Sequence, residues 1–179
     1  YENPNSKFER IEKDTEKLLP KKVIAYTSGQ NELLSNPFYK IRYHYFKEIE
    51  KSSSQVKGNV FDNDRLFFLD SSSNFSIFVS NMLLASPDKS KYLTEIFKVE
   101  DLHSFRITIN LVNYKKNPIP LSESIRNNIE KLKLCATSWI ERKKGKEHFL
   151  IFDFRVNEAT HEAFKFHFKT SFELFKAFY

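Results

Sequence analysis

The sequence predicts an α+β fold: two N-terminal helices, then a small seven-stranded antiparallel barrel or orthogonal sandwich capped by a C-terminal helix. Three observations predict it. The apolar period changes from helical to alternating after Gly58. The alternating segments are short and mostly joined by brief polar loops, which favours antiparallel pairing, because parallel strands need long crossovers. Phe is abundant, with 19 copies beside eight Tyr and one Trp, so a core rich in aromatic area is expected. The organisation that follows is a helical extension over residues 1–58 and a strand-rich domain over 59–179.

The elements follow in order. Residues 6–19 read as an amphipathic helix: Ser6 and Glu9 form a capping-box pattern, Phe8, Ile11, Leu18 and Leu19 share a face, and Pro20 stops it. The segment Lys21–Gly29 reads equally as a short strand or a connector. Asn36-Pro37 opens a second helix to about Lys51, with Phe38, Ile41, Tyr45 and Ile49 on one stripe. Arg65–Asp70 is a short apolar run, and Ser71–Asn74 a turn. Phe75, Ile77 and Val79 alternate with polar residues as a half-buried strand does. Ser86-Pro87-Asp88 marks a loop, and Thr94–Val99 reads as another strand.

The clearest strand is the next one, where Phe105, Ile107, Ile109 and Leu111 alternate with Arg106, Thr108 and Asn110. Asn113–Pro120 is a loop and Ser122–Glu130 a short helix. Leu132–Glu141 and His148–Arg155 read as a hairpin turning at Arg142–Lys146. Phe164, Phe166 and Phe168 then alternate with Lys165 and His167 as a last strand. Ser171 caps a final helix with Phe172, Phe175 and Phe178 at i, i+3 and i+6, expected to plug one end of the barrel against Phe164, Phe166 and Phe168.

Composition removes several function classes. Gly29, Gly58 and Gly145 lie too far apart to write a phosphate loop or a dinucleotide fingerprint. Cys135 is the only cysteine, which excludes an intramolecular disulfide and a thiolate zinc site and fits a reducing, cytoplasmic setting. No apolar run approaches the ~18 residues of a membrane span. The chain begins at Tyr1 rather than Met, the pattern of a processed product or an excised segment. A net charge of +6 favours acidic partners only where the charges cluster.

Two clusters stand out. Arg142, Lys143, Lys144 and Lys146 crowd a hairpin tip, suited to phosphates of nucleic acid or of an anionic membrane, and equally to a solvated turn. Tyr39, Arg42, Tyr43, His44 and Lys47 interleave aromatic and basic groups, an arrangement that stacks on bases or packs a helix with its cationic stems snorkelling. Asp153 interrupts an apolar strand, where it serves as a buried acid, with Glu100 and Asp101 as possible companions, or as a surface ion-pair partner. His161 and His167, on a strand, would be roughly 20 Å apart, too far to share a metal. Trp139 is a core or a contact residue according to which sheet face is covered. No catalytic, cofactor or metal residue is assigned. The expectation is a non-catalytic binding or assembly module with a protein partner.

The stretches IFKVEDLHSF (96–105), EHFLIFDF (147–154) and FKFHFKTSFELFKAF (164–178) resemble the pleckstrin-homology-like domains of small bacterial proteins. The resemblance implies a binding module for lipid headgroups, peptides or partner domains. Phosphoinositide-binding members carry basic residues around the first hairpin loop. Ser71–Asn74 has none, so no specific phosphoinositide binding is expected. The helices at 6–19 and 37–51 ahead of an antiparallel sheet also resemble nuclear-transport-factor-like cones, which implies a small-molecule enzyme or a secretion-machine component.

Overall fold

The computed structural model describes residues 20, 22–27, 35–41, 43, 44, 47, 66–113 and 115–178. The expected helix at 6–19 lies outside the described residues. Within them the protein is α+β, with two small sheets and several helices.

The first sheet is a parallel pair, β1 (Val23–Tyr26) and β2 (Leu66–Leu69), in the register Val23↔Leu66 to Tyr26↔Leu69. Antiparallel pairing throughout is therefore a correction. The pairing joins a strand before residue 58 to one after it. Residues 35–41, together with 43, 44 and 47, are helical between the two strands, in line with the helix opened by Asn36-Pro37. A parallel neighbour needs an intervening crossover of this kind.

After β2, Asp70 accepts the Ser72 N–H and starts a single 3-10 turn, Ser71–Ser73, that leads into α1 (Asn74–Leu84). The expected strand at 75–80 is thus a helix. Its alternation of Phe75, Ile77 and Val79 is overridden by a longer apolar stretch that packs on several sides. Val79, Ser80 and Leu83 are buried at i, i+1 and i+4, and the Ser80 hydroxyl donates to the Ser76 carbonyl at 2.6 Å. The expected strand at 94–99 is likewise mostly helical, the end of α2 (Pro87–Phe97), which Pro opens and Lys98 closes in the left-handed region at φ 53°.

The second sheet holds β3 (Ser104–Asn110), β4 (Ser138–Lys144) and β5 (Glu147–Arg155), antiparallel in the order β3-β5-β4. Between β3 and β4 lies α3 (Glu123–Cys135), capped by Ser122. It takes over Leu132–Cys135 from the expected strand 132–141, which starts only at Ser138. The β4–β5 hairpin turns on Gly145-Lys146. Gly145 has φ +59° and Lys146 does not have a positive φ, the pattern of a type II′ turn.

The last expected strand, at 164–168, is also helical: α4 spans Glu158–His167. Phe164 and Phe168 are buried and Phe166 is 85% exposed. Residues i and i+4 coincide on one side in both a strand and a helix, so a five-residue alternation cannot separate them. The Asn157 cap, whose Oδ1 accepts the Thr160 N–H, marks the helix. α5 (Ser171–Phe178) forms as expected, but it packs mainly on α1 rather than plugging a barrel. A seven-stranded barrel does not describe these residues.

One face of the three-stranded sheet meets the helices. Leu150, Phe152 and Phe154 of β5 and Phe105 of β3 join Val79, Leu83, Ile129, Leu132, Phe164, Phe168 and Leu174 in a single core. Phe105 stacks on Phe154 at 4.4 Å between centroids. Among the described residues, no helix is long and apolar enough to cross a membrane.

Candidate functional site

Because β5 is central, β3 and β4 are both edges among the described strands. Two hydrogen bonds set which β3 groups face outward: Val156 N donates to His103 O, and Leu111 N donates to His148 O. In the β3–β5 register these are directly opposed residues. Hydrogen-bonded pairs recur every second residue, so Phe105, Ile107 and Ile109 bond to β5. The N–H and C=O groups of Arg106 and Thr108 therefore point away from the sheet, along an edge that no other described strand pairs with.

Beside that edge runs a groove of about 210 Å³, lined by Phe75, Ser76 and Val79 of α1, Phe178 of α5, and Phe105–Thr108 of β3. Phe75 is 59% exposed. The only charge on this part of β3 is Arg106, and it is held: Nε and Nη2 donate to the two carboxylate oxygens of Asp153 at 2.6 and 3.0 Å. The Arg106 guanidinium in turn holds the Asp153 carboxyl below its usual range. Asp153 is thus a surface ion-pair partner on the face away from the core, not a buried acid. Neither Glu100 nor Asp101 is among its partners; Asp101 accepts the Leu102 N–H instead.

The β4 edge is different in kind. Its sequence is SWIERKK, exposed along its whole length. Charges at an edge discourage strand pairing. The basic cluster also divides over the two faces. Lys143 shares a face with Glu141 and pairs with it at 2.8 Å, whereas Arg142 and Lys144 lie on the opposite face and form no ion pair among the described residues. Lys146 sits in the turn. Glu141 also bonds His148 at 2.6 Å, and the Lys143 ammonium, followed by His148, keeps its carboxyl low. Trp139 is 43% exposed, with Lys133 Nζ 4.6 Å above its ring, so it is neither fully core nor free.

The helical aromatic–basic group splits similarly. Tyr39 packs on Phe68 with centroids 5.9 Å apart, while Tyr43 is exposed and lies 5.6 Å from Lys47 Nζ. Arg42 lies outside the described residues. Cys135 ends α3 and is buried; burial pushes its thiol up to about 12, which leaves it protonated at neutral pH. His161 Nδ1 is 3.2 Å from the Leu83 carbonyl, joining α4 to α1. Among the described residues, no group of three or more His, Cys, Asp or Glu side chains is placed to hold a metal ion.

The alternation of Phe105–Leu111 marks β3 as a strand but carries no sign of whether it is central or at an edge. The alternation of Phe75, Ile77 and Val79 reads as a separate strand and so hides Phe75 and Val79 as groove partners of β3. No protein-family model matches the chain, and neither a curated protein nor a solved structure matches it.

Proposed function

We propose that this protein is a non-catalytic binding or assembly module that captures a partner protein by strand addition to β3. The observation that carries the reading is the backbone of Arg106 and Thr108, left without a strand partner among the described residues, alongside the groove of Phe75, Val79 and Phe178. An added strand satisfies the backbone groups, and its alternate side chains fill the groove. The choice of β3 over β4 rests on charge: β3 has one cation, neutralised by Asp153, whereas β4 and its turn bring four. The reading keeps the binding role that the pleckstrin-homology-like resemblance implies but rests on the edge strand.

The test is selection from a library of extended peptides. Binders are expected to carry an apolar residue at every second position, to slow hydrogen exchange at the Arg106 and Thr108 amides, and to lose affinity for Thr108→Pro. Binders that leave both amides exchanging freely and bind Thr108→Pro as well as the parent overturn strand addition.

A second reading, contact with nucleic acid or an anionic membrane, is favoured by Arg142 and Lys144, which share one exposed face without a carboxylate partner among the described residues. Phosphate contacts make affinity fall steeply with salt. Replacing Arg142, Lys143, Lys144 and Lys146 by Ala then flattens the salt dependence of binding to a polyanion; an unchanged slope removes the hairpin.

A further inference from the structure

A larger cleft, about 570 Å³, opens between the parallel pair and the helices α1, α2 and α5. Its volume falls within the range of small-molecule sites. Leu69, Ile77, Leu84 and Phe175 are among its apolar lining, and Lys89 and Lys169 stand on it as exposed cations. Neither lysine forms an ion pair among the described residues. A third ammonium, that of Lys22, lies 4.3 Å from the centroid of Phe172, a ring that also lines the cleft.

Glu173 also feels the Lys169 charge, but its hydrogen bonds go to other groups. It accepts from Lys131 Nζ at 3.1 Å and from the Lys169 backbone N–H at 2.9 Å. Together with Thr170, whose hydroxyl accepts the Glu173 N–H, it caps the start of α5. The ammonium groups, not the helix end, are therefore the cationic feature of this cleft.

From this complementarity we infer that the cleft binds an amphipathic monoanion: a hydrocarbon body against Leu69, Ile77, Leu84 and Phe175, and a carboxylate or sulfate head at Lys89 and Lys169. Apolar walls with a few convergent charges fix both the class and the orientation of such a ligand. The inference is independent of the β3 edge and goes beyond the strand-addition reading.

The probes are decanoate, decyl sulfate, decanol and decyltrimethylammonium, each titrated below its micelle-forming concentration into the full chain. Calorimetry gives stoichiometry and affinity, and amide NMR gives the location. Decanoate and decyl sulfate are expected to bind one per chain, with shifts at Asn81, Ala85 and Ser171. The neutral and cationic amphiphiles should bind at least tenfold more weakly. The double variant Lys89→Gln, Lys169→Gln should lose at least tenfold for the anions while its circular dichroism spectrum stays that of the parent, since both side chains are exposed. Decanol binding as tightly as decanoate, shifts confined to other residues, or full affinity in the double variant would each overturn the assignment. A head-group preference between the two anions separates a carboxylate ligand from a sulfate-like one.

Discussion

Proline scanning of β3 separates an open edge from a buried one. Ile107 lies directly opposite Phe152, in a hydrogen-bonded pair with it. Phe152 is 0% exposed. Ile107→Pro removes the N–H that satisfies the Phe152 carbonyl, and a buried carbonyl left without a partner costs about 1–3 kcal/mol. Loss of the half-buried Ile side chain adds on the order of 1 kcal/mol. The expected total, roughly 2–4 kcal/mol, is a large share of the ~5–15 kcal/mol that holds a domain folded. One residue on, Thr108 is exposed and its N–H points away from β5. Thr108→Pro breaks no ladder bond, and proline is tolerated where a strand N–H faces outward. Its cost is expected below about 1 kcal/mol. Urea unfolding followed by circular dichroism measures both. At a slope of about 2 kcal/mol per molar, the midpoint of Ile107→Pro should fall by roughly 1–2 M and that of Thr108→Pro by less than about 0.5 M. Equal destabilisation by the two prolines would refute the reasoning, because it would place the Thr108 N–H in a bond of the folded protein.

Three further outcomes are expected. Phe175, 4% exposed and within ring contact of Phe67 and Phe172, should cost about 3–5 kcal/mol when replaced by Ala, and deletion of residues 170–179 should unfold or aggregate the protein; an unchanged melting temperature in a monomeric truncation would remove α5 from the core. Partial burial raises the Glu173 carboxyl, but the Lys169 N–H and the Lys131 ammonium outweigh it and leave it below the ordinary glutamate value. A lowered folded value means that the contribution is complete above the ordinary value and is lost as the pH falls through the folded one. The stability gap between the parent and Glu173→Gln should therefore be widest near neutrality and close in acid, measurable by thermal melts across pH. Cys135, buried and protonated, should resist alkylation in the native protein and react only on unfolding.

The sequence by itself determined the elements whose signals are chemically one-sided. The alternation of Phe105–Leu111 admits only a strand, and β3 runs from Ser104 to Asn110. The basic turn around Gly145 made the hairpin legible, since a tight connection there needs a residue that accepts positive φ. Ser122 announced α3 at its true cap, whereas the cap of α5 is Thr170, one residue before the expected Ser171. Short Phe alternations were another matter. FKFHF satisfies both periods, and the Asn157 cap together with burial of Phe164 and Phe168 on one side resolved it as a helix. FSIFVSNMLL became a helix because α1 is enclosed by α2, α4 and α5, a circumstance of packing that no local window contains.

Strand partnership was invisible for the same reason. That β1 and β2 run parallel, that β5 is central, and that β3 is an edge among the described strands depend on which distant segments dock. Both the proposed strand-addition edge and the lysine-rimmed cleft follow from that docking. Phe75, Val79 and Phe178 share a groove with Thr108, and Lys89 shares a cleft with Lys169, only because segments far apart in the chain come together. Local sequence chemistry decides what a segment can be; the burial available to it in the assembled protein decides which of those options it takes and which side chains it brings together.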